Sequence, residues 1–236
     1  MFSIIMTYRE SSSKRRRNLD FVTSYFGQHL NEDFEVIVVE QDSSSKLGND
    51  YYRKLFVYNS GLFNRGWGLN VGARICNGDI LVFSDCDILI PFNDLKYAVE
   101  ISKKFEAVDP KGTLYQVEDN VPDPFLYRGN KRAYLNFAGG MMLMQRSKFF
   151  EIGGWPEEFM GWGCEDNVMC LKIAEFTNST SVDLTLFHLY HESADTGEGY
   201  KRNLKILKDI EEKKRTGRLG ELCHQEIGEP YKFRDL

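Results

Sequence analysis

The stretch Asp79-Ile-Leu-Val-Phe-Ser-Asp-Cys-Asp87 decides the fold, because an apolar run that predicts a buried strand leads directly into two carboxylates. Working outward, residues 2–6 and 35–40 predict two more buried strands. Helices are predicted around residues 16–30 and 67–76, between these strands. Strands and helices that alternate in this way favour a parallel sheet covered by helices. The sequence therefore predicts an α/β fold, a single domain with a mostly parallel central sheet.

The size and composition of the chain limit the classes of protein to which it can belong. Its 236 residues fit one globular domain whose core needs neither disulfides nor a structural metal. A formal net charge of −5 argues against nucleic acid as a partner. The five cysteines form no CxxC pair, which favours reduced thiols. Since no apolar run reaches the length of a membrane span or a signal-peptide core, we expect no integral membrane segment and a cytoplasmic location.

The second half of the chain departs from the early alternation. A helix is predicted over residues 93–105. Residues 109–132 are predicted to be irregular, with a short strand at 113–117, because they are rich in Pro, Gly, Asn and Asp. The later predicted elements are a strand at 141–145, a helix from Glu165, a strand at 184–190 and an amphipathic helix at 200–215.

Asp85 and Asp87 follow the carboxyl end of a predicted strand, where open α/β sheets bind ligands. They would offer hard oxygen ligands to Mg²⁺ or Mn²⁺ carried with a diphosphate, or they would only cap the turn before Pro91. His188 and His191 follow another predicted strand and would add imidazole ligands, which favours Mn²⁺. The alternative is that they are ordinary histidines at a strand end.

Other charged residues allow two interpretations each. Glu165 and Asp166 open a predicted helix, where acidic residues complement the helix dipole. Alternatively, one of them takes a proton from an acceptor hydroxyl while the other orients it. Asn64 and Arg65 are either ordinary loop residues or a forked donor for a phosphate. The basic run at residues 14–17 is either a solvated face or a sign of an anionic ligand nearby.

In their order along the chain, these motifs resemble those of the catalytic domain of the β-1,4-galactosyltransferase family, and more broadly those of inverting glycosyltransferases of the GT-A fold. The motifs that carry the resemblance are Phe63-Asn64-Arg65 with Leu69-Asn70-Val71-Gly72, Asp85-Cys86-Asp87, Ala138-Gly139-Gly140, Ile152-Gly153-Gly154-Trp155-Pro156 running into Gly161-Trp162-Gly163-Cys164-Glu165-Asp166, and His188 to His191. The resemblance implies a single GT-A domain, similar to a Rossmann fold. Residues 1–90 would be its nucleotide-binding half, 91–199 its acceptor-binding half, and 200–236 a C-terminal helix and tail.

The resemblance also implies a role for each matched residue. The implied contacts to the nucleotide sugar are Thr7, Tyr8, Arg9, Glu40, Phe63, Asn64, Arg65, Asp85, Cys86, Gly139, Gly140 and Trp162. Asp87 and His191 would bind the metal, joined by His188 where the family has a methionine. Asp166 takes the general-base position, and Glu165 the acceptor-binding position. Trp162 resembles the aromatic residue of a mobile loop that would exclude water together with residues 192–199.

The activity implied by the resemblance is that of a metal-dependent inverting glycosyltransferase. It would move a hexose (galactose, N-acetylgalactosamine or glucose) from a UDP-sugar donor to a hydroxyl of a glycan or glycoconjugate acceptor, with Mn²⁺ or Mg²⁺ as cofactor. The alternative is a catalytically inactive nucleotide- or glycan-binding protein of the same fold. A nucleotidyltransferase is disfavoured because residues 11–14 are a poor substitute for a Gly-rich triphosphate loop.

Overall fold

The computed structural model describes residues 1–29, 32–48, 52–132, 136–192 and 197–233. Its strands are β1 (Phe2–Tyr8), β2 (Phe34–Asp42), β3 (Arg53–Tyr58), β4 (Ile80–Ser84), β5 (Ile88–Leu89), β6 (Ala107–Gln116), β7 (Lys131–Arg132), β8 (Met141–Gln145) and β9 (Ser179–His188). Its α-helices are α1 (Ser13–Gly27), α2 (Arg65–Ile75), α3 (Phe92–Ser102), α4 (Arg146–Glu151), α5 (Glu165–Phe176) and α6 (Glu198–Arg215). None of the helices in these ranges is long and apolar enough to cross a bilayer.

All the strands within the described ranges belong to one sheet, in the order β3-β2-β1-β4-β8-β6-β9-β5, with β7 paired to β6. The first four positions are parallel, as predicted. Strand β8 runs antiparallel to both β4 and β6, and β6 runs parallel to β9. The α/β class with helices flanking the sheet is therefore confirmed, and the sheet is parallel in its first half and mixed in its second.

Apolar clusters cover both faces of the central strands. In β1, Ile4 and Met6 pack into one cluster, and Ile5 packs into the cluster on the opposite face. Successive side chains of a strand point to opposite faces, so a strand covered on both sides needs apolar residues at every position. This explains why β1 and β4 read as continuous apolar runs rather than as alternating ones.

Two expected boundaries moved for local reasons. Helix α2 begins at Arg65, two residues earlier than predicted, because the Asn64 side chain accepts a hydrogen bond from the backbone N–H of Trp67 at 2.9 Å and caps the helix. Strand β6 is longer than the short strand predicted at 113–117, because it begins at Ala107. It pairs with β9 through register shifts on either side of Lys111, which accommodate the Pro and Gly residues that concealed the strand.

The topology brings four strand ends to one edge of the sheet. Strands β1 and β4 are parallel, and β6 has the same direction because β8 runs antiparallel to both of its neighbours. Strand β9 is parallel to β6, so its carboxyl end joins the same edge. The residues that follow these ends include the acidic pair after β4 and the two histidines at the end of β9. This is the edge where open α/β sheets bind ligands.

Candidate active site

Asp87, His188 and His191, all predicted as metal ligands, meet at this edge. The Oδ1 atom of Asp87 lies 3.5 Å from Nε2 of His188, and its Oδ2 atom lies 3.2 Å from Nε2 of His191. The two Nε2 atoms are 3.1 Å apart. The three potential ligand atoms all lie within 4.8 Å of one another, and Asp87 is only 5% exposed. A buried carboxylate with two imidazoles is a donor set that fits a divalent cation.

Hydrogen bonds behind the two histidines orient their rings. Nδ1 of His188 lies 2.9 Å from Oε1 of Gln116, at the end of β6, and Nδ1 of His191 lies 2.7 Å from the carbonyl oxygen of Glu192. Because the Gln116 oxygen is an acceptor, Nδ1 of neutral His188 carries the proton and its Nε2 keeps a lone pair for a cation. Gln116 was not among the predicted site residues. The signal for it was its place at the end of a strand adjacent to β9.

The Asp87 carboxylate and the His188 imidazole stabilise each other's charged forms. Burial opposes ionisation of Asp87, but the hydrogen bond and charge of His188, with His191 and Arg15, outweigh it and hold the pKa of Asp87 below its usual range. Burial likewise lowers the pKa of His188, but the hydrogen bond that protonated His188 donates to Asp87 and the charge of that carboxylate more than reverse this, so that its pKa is raised. The cluster therefore carries a carboxylate at neutral pH.

One residue of the basic run at 14–17 lies close to the cluster of Asp87, His188 and His191. The Nη1 atom of Arg15 lies 3.7 Å from Oδ2 of Asp87, and its Nη2 atom lies 3.1 Å from Nδ1 of His191. Lys14 and Arg17 turn away and pair with Asp119 at 3.0 and 2.7 Å. The interpretation of the run as a sign of an anionic ligand therefore centres on Arg15 alone.

A second charged cluster surrounds Arg65. Its Nε atom donates to Oδ1 of Asp85 at 2.8 Å, and its Nη1 atom lies 3.8 Å from Oε1 of Glu165. The guanidinium lies over the ring of Trp155, with Cζ 4.8 Å from the ring centre. Arg65 was expected to grip the base or phosphate of the donor. The structure instead places its charge between two carboxylates, so that it joins the end of β4 to the start of α5.

Glu165 and Asp166 differ in environment although they are neighbours. Glu165 is 8% exposed, and burial raises its pKa to about 7 even though Arg65 opposes the shift. Its Oε2 atom has no hydrogen-bond partner among the described residues. Asp166 is half-buried, and its Oδ1 atom accepts from the backbone N–H of Asn167 at 2.8 Å. The pair therefore combines a buried carboxyl beside a cation with a carboxylate more open to solvent.

Arg9, predicted to line the nucleotide pocket, holds a loop. Its guanidinium donates to the carbonyl oxygens of Gln41, Asn59 and Gly61 at 2.8, 2.8 and 2.6 Å. Its Cζ atom lies 5.8 Å from the centre of the Phe63 ring. The donors of Arg9 are thus engaged by backbone carbonyls, and its role in the nucleotide pocket stays a prediction.

Glu40 and Asn64 are similarly committed to the protein itself. The Glu40 carboxylate accepts from the backbone N–H groups of Lys46 and Leu47 at 2.6 and 3.0 Å. Asn64 is fully buried and serves as the cap of α2. Both were predicted to contact the nucleotide sugar. In the structure their polar atoms instead satisfy backbone groups of the loops around the site.

Thr7, Tyr8 and Cys86 lie close together, where the ends of β1 and β4 meet. The Thr7 hydroxyl accepts from Nε2 of Gln41 at 2.7 Å, and the Cys86 thiol lies 3.3 Å from the Thr7 carbonyl oxygen. The Tyr8 hydroxyl is buried and has no hydrogen-bond partner in the part of the chain that the structure describes. Burial raises the pKa of Tyr8, so it stays a neutral donor. Tyr8 is therefore a residue predicted to contact the nucleotide sugar whose hydroxyl has no hydrogen-bond partner among the described residues.

Gly139 and Gly140 form a turn beside Asp85. The carbonyl oxygen of Gly140 accepts from the backbone N–H of Asp85 at 2.8 Å, and Gly140 has φ of +75°, which favours glycine. The carbonyl oxygen of Met141, next along the chain, accepts at 2.7 Å from Nζ of Lys111, whose side chain is 1% exposed. Lys111 was not predicted. It had no sequence signal, because its stretch was expected to be irregular.

Trp162 lies on the loop before α5. Its side chain is 52% exposed, and its ring lies 5.2 Å from the ring of Tyr200 on α6. Trp162 was predicted to exclude water together with residues 192–199. Of that segment, residues 193–196 lie outside the described residues.

Comparison with known proteins gives consistent family matches. A family model described as glycosyl transferase family 2 matches residues 3–155. A second model, described as the N-terminal domain of galactosyltransferase, matches residues 126–191. Together the two matches cover the motifs from β1 to His191, which are the motifs that carry the resemblance to galactosyltransferases.

Three similar proteins illustrate the relationship. Chondroitin sulfate N-acetylgalactosaminyltransferase 1 of Mus musculus is 28% identical over 207 residues, which are 80% of this chain and 38% of that protein. Beta-1,4-galactosyltransferase 4 of Cricetulus griseus is 25% identical over 169 residues, 66% of this chain and 40% of that protein. A solved structure of a mutant Drosophila β1,4-galactosyltransferase 7 with manganese, UDP-Gal and xylobiose has a TM-score of 0.54 and 17% identity, covering 86% of this chain and 80% of that one.

These comparisons correct one prediction and limit others. The predicted cytoplasmic location is wrong, because the curated relatives are galactosyl- and N-acetylgalactosaminyltransferases of the Golgi type, which are lumenal enzymes. The chain spans about two fifths of the length of these relatives. The resemblance to galactosyltransferases and the GT-A fold are confirmed. Because the family 2 model covers well over half of the chain, the chain belongs to glycosyl transferase family 2 and is a GT-A glycosyltransferase related to the galactosyltransferases.

Proposed function

We propose that the chain is a metal-dependent inverting transferase that moves a hexose from a UDP-sugar to a hydroxyl of a glycan or glycoconjugate. The observation that carries the proposal is the convergence of Asp87, His188 and His191 at the carboxyl edge of the sheet. Galactose and N-acetylgalactosamine are the favoured sugars, because the relatives are galactosyl- and N-acetylgalactosaminyltransferases. Glucose is the third candidate that the motifs allow.

Mn²⁺ fits this ligand set better than Mg²⁺ because two of the three ligand atoms are imidazole nitrogens. The manganese in the related solved structure supports the same choice. A divalent cation held by Asp87, His188 and His191 would neutralise the charge that develops on the leaving diphosphate. Arg15 adds a fixed positive charge beside the same three residues and would bind the diphosphate from the helix α1 side.

The acceptor side of the reaction is proposed to lie at the start of α5. Asp166, the more accessible carboxylate, would take the proton from the attacking hydroxyl. Glu165 would accept a hydrogen bond from the acceptor sugar through Oε2, the oxygen left without a partner among the described residues. Arg65 holds Glu165 and Asp85 in one cluster, so the acceptor-binding and donor-binding carboxylates are positioned relative to each other. Trp162 would help to keep water from the donor.

The test compares two variants that should fail at different steps. With UDP and Mn²⁺ in a calorimeter, Asp166→Asn should bind both as the wild type does, whereas Asp87→Asn should lose the Mn²⁺-dependent part of UDP binding. In transfer assays with UDP-galactose and UDP-N-acetylgalactosamine on a broad acceptor panel, the wild type should turn over. Asp166→Asn should lose about 10²- to 10⁴-fold in rate, the usual contribution of a general base.

The control is Asp209→Asn, the same chemical change at an exposed position of α6. It should leave both binding and transfer unchanged. Mn²⁺-dependent UDP binding without turnover on any acceptor would favour the inactive binding protein. Unchanged turnover in Asp166→Asn would remove Asp166 from its role, and UDP binding that ignores Mn²⁺ would contradict the metal-dependent mechanism.

A further inference from the structure

A fully buried asparagine on the C-terminal helix holds the loop that carries Trp162. Asn203 of α6 is 0% exposed, and its Nδ2 atom lies within hydrogen-bond distance of three backbone carbonyl oxygens. The oxygens belong to Met160, Trp162 and Gly163, at 3.1, 3.2 and 3.1 Å. Because all three partners are acceptors, only the amide NH₂ can serve there, and the chemistry settles the orientation of the side chain.

The loop of residues 160–164 has a backbone that needs support from outside. Gly161 and Gly163 have φ of +76° and +98°, and Cys164 has φ of +79°, which is costly for a residue with a Cβ atom. Cys164 is also the N-cap residue of α5, and in the described structure its side chain makes no capping hydrogen bond. Asn203 therefore supplies contacts that the loop does not make for itself.

A second residue of α6 contacts the same loop. The Tyr200 ring lies 5.2 Å from the Trp162 ring, and a Cβ atom at Gly163 would lie 3.1 Å from the Tyr200 ring. Tyr200 and Asn203 are three residues apart, which places them on one face of the helix. One face of α6 thus holds the loop backbone through Asn203 and the Trp162 ring through Tyr200.

We propose that Asn203 is a positioning residue: its amide fixes residues 160–164 against α6 and so sets the place of Trp162 and the start of α5. Glu165 follows directly after Cys164, so a shift of the loop moves the acidic pair with it. The loop is also tied to the other side, because Gly161 donates to the carbonyl oxygen of Phe63 at 2.8 Å. Asn203 therefore couples the C-terminal helix to both proposed halves of the active site.

The tryptophans of the chain allow a direct test. The chain has three, and Trp67 and Trp155 are fully buried, so quenching of fluorescence by acrylamide reports mainly on Trp162. Asn203→Asp keeps the side-chain shape and replaces the NH₂ donor by an oxygen that repels the three carbonyls. Its quenching constant should rise about twofold well below the unfolding temperature, because the ring leaves Tyr200 and exposes its second half.

The design includes matched controls. Asn93→Asp makes the same chemical change at an exposed position of α3 and should leave quenching unchanged. In a Trp162→Phe background, Asn203→Asp should have no effect on quenching, which assigns the signal to the loop. Should Asn203→Asp fail to fold, Asn203→Ala removes the donor without adding charge and decides the same question.

The kinetic consequence rests on the proposed function, whereas the quenching result does not. In transfer assays, Asn203→Asp should raise KM for the UDP-sugar severalfold while Mn²⁺ affinity at Asp87 stays that of the wild type. If no transfer is found for the wild type, the proposed function fails and the quenching still decides the role of Asn203. Wild-type quenching in folded Asn203→Asp and Asn203→Ala, even with a lowered Tm, would overturn the proposal and leave Asn203 a packing residue.

Discussion

The cluster around Asp87 and the cluster around Arg65 lie near the same edge of the sheet and are built in opposite ways. In the first, a buried carboxylate and two imidazoles direct ligand atoms toward one another, within 4.8 Å. In the second, a buried cation lies at the centre, with Asp85 at 2.8 Å and Glu165 at 3.8 Å. The first cluster is arranged to receive a cation from solution, and the second carries its own.

This difference indicates that the two clusters have different roles, one in stabilising the folded chain and the other in the proposed ligand binding. Electrostatic balance in the Arg65 cluster is part of the folded chain, so that cluster contributes to stability whether or not a substrate is bound. The Asp87 cluster is proposed to hold a cation from outside the chain, so its occupancy would depend on metal and nucleotide. Variants in the two clusters should therefore differ in kind, with stability affected at Arg65 and ligand affinity affected near Asp87.

The largest expected effect on stability is that of Arg65→Met. The methionine keeps apolar contact with the Trp155 ring but leaves Asp85 and Glu165 without their buried cation. Removing one partner of a buried ion pair typically costs about 3–5 kcal/mol of unfolding free energy. Urea unfolding at pH 8 measures the loss. Arg215→Met, which removes an exposed partner of Glu212 on α6, is the control and should keep the wild-type midpoint. A loss below about 1 kcal/mol would show that the Arg65 cluster is not a framework element.

The Arg65 cluster also predicts how stability depends on pH. Burial raises the pKa of Glu165 to about 7 in the folded chain, above its ordinary value of 4.5. The folded state therefore binds more protons than the unfolded state between these values, and its stability falls as pH rises from about 4.5 to 7. Glu165→Gln removes this titration, so the variant should gain stability relative to the wild type as pH rises from about 4.5 to 7.

Unfolding curves at intervals between pH 4 and 8 test this sign. The wild type and Glu165→Gln should converge at the acidic end and separate toward pH 8. Glu211→Gln, at an exposed position of α6, controls for the general effect of losing one negative charge. Parallel pH profiles for wild type and Glu165→Gln would show that Glu165 ionises as freely in the folded chain as in the unfolded one.

Much of the fold and the convergence of Asp87 with His188 and His191 could be predicted from the sequence. Continuous apolar runs mark strands buried on both faces, and the carboxyl ends of parallel strands meet at one edge. The acidic residues after β4 and the histidines at the end of β9 were therefore expected together, although more than 90 residues separate them. Their meeting depends only on strand direction, which the alternation of elements largely determines.

The residues that build the loops could not be predicted in the same way. Arg9, Glu40 and Asn64 stay predicted contacts to the donor, and in the structure their side chains also hydrogen-bond to backbone groups. Which backbone groups lack partners is settled only once the loops are folded, so the sequence does not distinguish a loop anchor from a ligand contact. Asn203 did leave a signal, because it is a polar residue on the same helical stripe as Leu207 and Ile210.

The smallest predicted effect concerns Arg15, at the rim of the Asp87 cluster. Removing its charge should change the affinities for Mn²⁺ and for UDP in opposite directions. The guanidinium lies 3.7 Å from Oδ2 of Asp87, where its charge repels a divalent cation and attracts a diphosphate. Arg15→Gln should therefore bind Mn²⁺ alone more tightly, yet bind UDP in the presence of Mn²⁺ about tenfold more weakly. Calorimetric titrations of Mn²⁺, and then of UDP at saturating Mn²⁺, measure the two changes separately.

The matched control for Arg15 is Arg17→Gln, on the same turn of α1. Arg17 is paired with Asp119 at 2.7 Å, so its loss should leave both affinities as they are. If Arg15→Gln changed the two affinities in the same direction, the residue would be acting on the shape of the Asp87 cluster. Opposite changes would instead show that Arg15 acts through its charge, and would place the diphosphate on the α1 side of the ligand cluster. This would sharpen the contrast between the two clusters, because Arg65 is a cation committed to the protein whereas Arg15 is one kept for the ligand.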